Sequence, residues 1–159
     1  MNAVAVNSEF PFILSSRRDR ESMNSWMNDN RRLFEHQRGN QAEMHIEDME
    51  ALKLEEGDAV RIRSATGQIE LTVTAASGGR RGVVTIPHGW GSRVFEPRQP
   101  GQYRRWGENR NRLVDNQRMD PLSQTPLLNM TRVRVEPVEQ LAAVIPGSNQ
   151  HQVPMAVGQ

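Results

Sequence analysis

The sequence predicts a mainly β fold: a small barrel of about six short strands, with one or two short helices and long loops. Three observations point there. Short runs of β-formers alternate apolar and polar residues at period two, most clearly 60–63 against 69–73. Turn signals separate the runs, as in Ala65-Thr66-Gly67 and Ser77-Gly78-Gly79. Only one segment, 47–54, carries firm helix signals. Hydrophobic residues make up 36% of the 159 positions, enough for one modest core, and no apolar run is long enough to span a bilayer.

In chain order, 10–16 (FPFILSS) is an apolar run of β-formers and reads as a buried strand. Residues 17–40 then hold six Arg and many Asn, with Met23, Trp26, Met27, Leu33 and Phe34 scattered among them. That is too long for an idle connection and predicts a functional or wrapping loop, which Trp26 would fix. A second short strand is expected at 42–46. The helix at 47–54 has its acids in the first turn, where the helix dipole favours them, and Met49 and Leu52 on one face. The Gly57 turn is expected to stop it.

A hairpin follows. Val60 and Ile62 alternate with Arg61 and Arg63, and Ile69, Leu71 and Val73 with Glu70 and Thr72. One face is therefore buried, and Arg61 or Arg63 should pair with Glu70 on the wet face. Residues 83–86 form the next strand, ending in Pro87-His88-Gly89-Trp90-Gly91. Residues 92–112 read as loop, with six Arg against two Glu, and 131–135 is the last strand. Beyond Pro146 the chain is polar.

Lys+Arg is 20 and Asp+Glu 19, a net charge of +1, which excludes a polybasic arm or an acidic tail as the main theme. Cys is 0, so a thiolate metal site, an iron–sulfur cluster and a Cys nucleophile are excluded from these residues. Of the basic residues only Lys53 is Lys. Codon usage explains such a bias, and so does a need for guanidinium groups facing phosphates or planar heterocycles. The twin arginine Arg17-Arg18 lacks the following apolar stretch of an export signal, so a cytoplasmic location is expected. The arginines of 92–112, with Tyr103 and Trp106, suit single-stranded nucleic acid. However, residues 41–58 hold seven acids against Lys53, and no continuous basic groove is evident. An anionic dinucleotide or an acidic partner face explains the arginines at least as well.

The ordered set 48–67, Gly82-Val83-Val84 with Pro87-His88-Gly89-Trp90-Gly91, Asn111-Arg112-Leu113, and Asp120-Pro121-Leu122-Ser123, opened by 10–18 and Ser22-Met23-Asn24-Ser25-Trp26-Met27, resembles the C-terminal molybdopterin-dinucleotide-binding domain of the dimethyl-sulfoxide-reductase family, in which formate dehydrogenases and assimilatory nitrate reductases fall. The resemblance covers about residues 10–138. It implies a double-psi β-barrel closing over molybdopterin guanine dinucleotide. The dithiolene sulfurs of that cofactor hold molybdenum or tungsten, and any protein ligand to the metal comes from another domain or chain. The implied division is an N-terminal extension at 1–9, the barrel at 10–138 and a C-terminal tail at 139–159.

The resemblance also points to site residues. Ser15, Ser16, Arg17 and Arg18 end the first strand, where small hydroxyls, backbone amides and guanidinium groups suit a diphosphate; a solvated turn is the alternative. Asn24 and Ser25 sit in the first loop, and Asn24 offers both donor and acceptor to a pterin edge. Trp26 is equally a hydrophobic anchor. In His88-Gly89-Trp90-Gly91 the glycines allow close backbone approach, and His88 and Trp90 can stack or donate; a tight corner with Trp90 in the core is the rival. Asn111 matches the Asn before the family's Leu-Thr-Asp step. Val114 replaces the Thr and Asp115 remains, either to accept from the guanine edge or to cap a turn. Asp120-Pro121 reads as a turn.

His36, His45, His88 and His151 show no ligand spacing, and no nucleophile–base pair is present, so neither a catalytic nor a metal set is assigned. The expected role is a cofactor-capping domain or small subunit of a molybdenum or tungsten oxidoreductase. It would work with a larger catalytic subunit or the remaining domains of the same enzyme, without membrane contact. The alternatives are a cofactor carrier in assembly, a cofactor-free barrel serving as an interaction module, or a nucleic-acid binder.

Overall fold

The computed structural model describes residues 8–20, 22–26, 39–91, 93–95, 103–105 and 107–139, with backbone alone for 93–95 and 103–105. Met27, Leu33, Phe34, His36, Arg98, Trp106, His151 and most of the expected extension and tail lie outside the described residues.

Six strands close a barrel: β1 (Phe12–Arg17), β2 (Ala42–Met44), β3 (Ala59–Arg63), β4 (Gln68–Ala75), β5 (Val83–Pro87) and β8 (Thr131–Pro137), in the order β1-β5-β2-β4-β3-β8. All six fall on the runs that the sequence marks as strands. Two further strands, β6 (Arg93–Phe95) and β7 (Tyr103–Arg105), pair antiparallel within the stretch read as loop. That reading is corrected: arginines interrupt the Val, Phe and Tyr of this ribbon, so period two is not visible there.

The helix α1 spans Ile46–Ala51. It starts one residue earlier than expected because His45 is its N-cap rather than a strand residue, with Nδ1 accepting from the Glu47 N–H at 3.2 Å. It ends before Gly57. Lys53 adopts φ 57, and the Leu54 and Lys53 N–H groups donate to the Met49 and Glu50 carbonyls at 2.9 and 3.0 Å. This is a glycine-type C-cap made by a lysine, closed by the buried contact positions Met49 and Leu54.

Alternation sets the core. Val60, Ile62, Ile69, Leu71 and Val73 point inward with Leu14, Met44, Met49, Val84, Ile86, Leu113 and Val133. On the outer face Arg61 lies opposite Glu70 and donates to it at 2.7 Å, the expected cross-strand pair.

Registers fix the direction of every strand. β1 is parallel to β5, β5 antiparallel to β2, β2 parallel to β4, β4 antiparallel to β3, and β3 and β1 both antiparallel to β8. The C-terminal ends of β1, β3 and β5 and the starts of β2, β4 and β8 therefore share one end of the barrel, the upper end. The lower end holds α1, where the buried Asp48 accepts from the Gly82 N–H at 2.6 Å and Arg81 pairs with Glu47 at 2.9 Å. Of the connections at the upper end, the β3–β4 hairpin is tight, whereas those from β1 to β2 and from β5 toward β8 are long, as the parallel pairing of β1 with β5 requires.

Candidate functional site at the upper end of the barrel

The register carries the sequence-derived candidates to one place. Ser15, Ser16 and Arg17 lie beside Thr85, Ile86 and Pro87 on parallel strands, so the exits of β1 and β5 emerge side by side. The His88 N–H donates to the Arg17 carbonyl at 3.3 Å. From the β1 exit the turn 23–26 folds back over the β5 exit. The Trp26 N–H closes it onto the Met23 carbonyl at 3.0 Å, and the Asn24 side chain meets His88 Nε2 at 3.2 Å.

Gly89 makes this contact possible. It has φ +90, and a Cβ there would overlap the Asn24 carbonyl. Gly91 does the same service toward Asn109, on the connection that leads to β8, where a Cβ would stand 2.6 Å from that of Asn109. The side of each glycine that a Cβ would occupy is thus filled by the chain's own loops.

Asn109 caps a 3-10 turn, Arg110–Leu113, through its side-chain oxygen. Leu113 is fully buried, and its carbonyl accepts from Thr66 Oγ1 at 2.9 Å, tying this turn to the β3–β4 hairpin tip. Asn111 follows the cap and its side chain is exposed. Asp115 is half-buried, with Oδ1 accepting from the Gln117 N–H at 2.9 Å. Asp120 closes a turn onto Leu122 and Ser123, and the Ser123 bonds hold its carboxyl below the usual range.

The two arginines of the β1 exit part company. Arg17 is half-buried against Asp19 at 2.5 Å and Glu43 at 3.0 Å, so its charge is already matched. Arg18 is exposed. Burial, then Arg18 and also Arg110, hold the His88 imidazole below its ordinary pKa, against a hydrogen bond to the Arg17 backbone and the charge of Asp19. The neutral form of the imidazole is thereby favoured. Trp90 is 4% exposed, so it packs inside, whereas Trp26 is 68% exposed and does not anchor its loop. Ser25 is exposed beside it.

Sequence reasoning missed the most unusual group. Arg110 is 3% exposed; its guanidinium donates to the Leu128 carbonyl at 2.6 Å, its Nε has no acceptor, and it has no carboxylate partner among the described residues. Desolvation alone lowers its pKa. Asn40 is also buried: its Oδ1 takes the Glu108 N–H, and its Nδ2 is without an acceptor. The buried Asp19 leaves Oδ2 unused. One arginine among six in 92–112 carries no sequence mark of burial; only its place between two asparagines, one of them a cap, hints that its backbone is fixed.

A ligand that completes this end must bring anionic oxygens for Arg110 and N–H donors for the free carboxylate oxygen. A dinucleotide joined by a diphosphate has both, so the residues fit such a group. Among the described residues no three His, Asp or Glu side chains gather as a metal site, and no helix is long and apolar enough to cross a membrane.

Comparison with known proteins agrees. No curated protein sequence matches the chain. Among solved structures, acetylene hydratase from Pelobacter acetylenicus is similar with a TM-score of 0.66 at 19% identity, covering 80% of this chain and 18% of that one, a likeness of fold. The chain thus spans less than a fifth of that enzyme's length. The model of the molydopterin dinucleotide binding domain matches residues 12–132, and the chain belongs to that family.

Proposed function

We propose that the chain binds molybdopterin guanine dinucleotide at the upper end of the barrel, as the cofactor-capping domain or small subunit of a molybdenum or tungsten oxidoreductase. The observation that carries this reading is Arg110, a buried guanidinium whose partner among the described residues is a single carbonyl. An unpaired buried cation costs several kcal/mol, on the order expected of a site that an anion completes. Arg110 and Arg18 would hold the diphosphate with Ser15, Ser16 and the 89–91 backbone. Asn24, Ser25, Asn111 and Asp115 would face the heterocycles. Arg17 takes a supporting part here, holding Asp19 and Glu43 in place. When bound, the cofactor supplies the metal and its chemistry through the dithiolene, and any protein ligand comes from elsewhere.

The barrel would run over 10–138, with 1–9 and 139–159 as extensions, and the double-psi crossing fits its two parallel pairs. A larger catalytic partner, whether a separate subunit or further domains, is favoured by where apolar side chains are exposed. Met23, Trp26, Met119, Leu122, Leu127, Leu128 and Met130 all belong to the segments of the upper end, and among the described residues Ile46 is the one large exposed hydrophobic that does not. Such a concentration marks a surface that another protein covers. The place of work proposed is the cytoplasm.

The test is titration of the full chain with GDP and CDP, followed by pterin analysis of any larger protein that co-elutes with it. Binding of both nucleotides, lost together in Arg110→Met, is expected. Binding of neither, with a co-eluting partner free of pterin, would leave the interaction-module reading in its place.

A further inference from the structure

The tip of the β3–β4 hairpin reaches the 3-10 turn that bears Arg110, and the direction of the bonds between them follows from counting protons. Ser64 is buried, and its Oγ accepts from the Thr66 and Gly67 N–H groups at 3.1 and 3.2 Å. Thr66 Oγ1 lies 2.9 Å from the Leu113 carbonyl oxygen, which can only accept, so the one Thr66 hydroxyl proton goes there. The Ser64 proton then has Thr66 Oγ1 at 3.0 Å and the Gly67 carbonyl at 3.4 Å as acceptors, and the first is nearer. The chain of donors runs one way, from the N–H groups of the tip through Ser64 and Thr66 to the buried end of the turn. Thr66 itself is exposed, so its side chain adds little to the core; what its hydroxyl does is hold Leu113.

Gly67 brings the two backbones together: a Cβ there would overlap the Arg112 carbonyl oxygen. The turn is thus gripped from both sides. On one side Gly91 abuts Asn109, whose Oδ1 accepts from the Asn111 N–H at 3.0 Å. On the other, Thr66 and Gly67 meet the carbonyls of Leu113 and Arg112. Arg110 stands between the two grips. A turn this short has little rigidity of its own: the Arg112 N–H donates to the Asn109 carbonyl at 3.1 Å and the Val114 N–H to the Asn111 carbonyl at 3.2 Å. Its position is therefore set from outside, and a guanidinium bonds well only when its N–H groups are aligned with their acceptors.

We propose that Thr66, together with Gly67, is a positioning residue for the anion site: the hairpin tip sets where the Arg110 guanidinium stands, and so how tightly the chain holds a diphosphate. Neither residue is asked to touch the ligand. The inference rests on the cofactor reading above and deepens it.

The test is calorimetric titration of the full chain with GDP and with CDP. Thr66→Val keeps the shape of the side chain and removes the hydroxyl. Affinity for the two nucleotides should fall by the same factor, about fivefold, because they share the diphosphate. Thr66→Ser restores the hydroxyl and should restore both affinities. Gly67→Ala pushes on the Arg112 carbonyl and leaves the Thr66 hydroxyl in place; it too should weaken both nucleotides alike. Ile69→Val, on the buried face of β4, is the control for stability alone: the unfolding midpoint should fall and both affinities should stay as they were. If Thr66→Val behaves like Ile69→Val, with a lower midpoint and unchanged affinity, the tip is only a brace; the inference is overturned and the cofactor reading stands. A loss confined to GDP overturns it as well, since the effect would then lie at the base and not at the diphosphate. Failure of the unaltered chain to bind either nucleotide rejects the cofactor reading, and this inference falls with it.

Discussion

Replacing Arg110 with methionine separates stability from function more sharply than any other change at this end. Methionine keeps the length and volume of the buried stem and removes the charge. In the free chain the guanidinium is buried, and among the described residues it makes one hydrogen bond, to Leu128 O at 2.6 Å. A charge-assisted bond contributes about 1.5–3 kcal/mol, less than the several kcal/mol that burying an isolated charge costs. Leu128 is 50% exposed, so water can replace the lost donor. Arg110→Met should therefore be neutral or stabilising, by about 1–3 kcal/mol, in the free chain. A diphosphate should lose one charge-assisted contact, about 1.5–3 kcal/mol or roughly 10- to 150-fold in affinity. Urea unfolding at pH 7 without ligand reads the first quantity and calorimetric titration with GDP the second. A variant destabilised by 2 kcal/mol or more, on the scale of a lost buried hydrogen bond, with GDP affinity unchanged, would mean that Arg110 is a strut for Leu128, and the reasoning would fail.

Asp115→Asn should weaken GDP by about 1–3 kcal/mol and leave CDP unaffected, since one acceptor becomes a donor facing a donor; equal loss for both nucleotides removes Asp115 from the guanine site. Gly89→Ala should cost about 1–2 kcal/mol for its left-handed backbone and more for pushing Asn24 away, whereas Gly57→Ala, at the same φ +90 with nothing within 4 Å, should cost only the first part; identical unfolding midpoints would refute the contact. Arg18→Ala should raise the His88 pKa toward 6.5, because Arg18 is the largest of the charges that depress it; histidine NMR checks this, and an unmoved midpoint would place Arg18 elsewhere.

The barrel was legible because period two and turn chemistry act locally. Each inward Val, Ile or Leu of β3 and β4 is paired with an outward polar neighbour, and that alternation survives any tertiary context. The convergence of 15–18, 24–25, 88–91, 111 and 115 on one end came from the family resemblance, since the sheet order that unites them depends on parallel pairings between strands some 70 residues apart. What stayed hidden was which charges are already spent. Asp19, two residues on from Arg17, is visible in the sequence, but Glu43 reaches Arg17 from β2, across β5, and nothing local marks Arg110, which has no carboxylate partner among the described residues and donates to the Leu128 carbonyl. The helix stop was misread for a similar reason: Lys53 tolerates φ 57 because Met49 and Leu54 close the cap by packing, so Gly57 was free for another turn.

The distribution of unmet groups separates the rival functions. The buried side-chain polar atoms left unmet among the described residues are Asp19 Oδ2, Asn40 Nδ2 and Arg110 Nε, with Arg17 Nε held only by its ion pair to Glu43 at 3.0 Å, and all belong to segments that leave or enter the upper end. At the lower end the buried carboxylate of Asp48 is satisfied by a backbone N–H. An interaction module explains the apolar side chains around Leu122 and Leu128, but it has no use for a buried guanidinium, which an apolar partner would leave as costly as before. A nucleic-acid binder would hold its arginines out in solvent, where phosphates exchange for counterions, rather than beneath a 3-10 turn. A small anionic ligand that enters the end of the barrel, with a protein closing over it, accounts for the buried cation, the unused carboxylate oxygen and the apolar rim together.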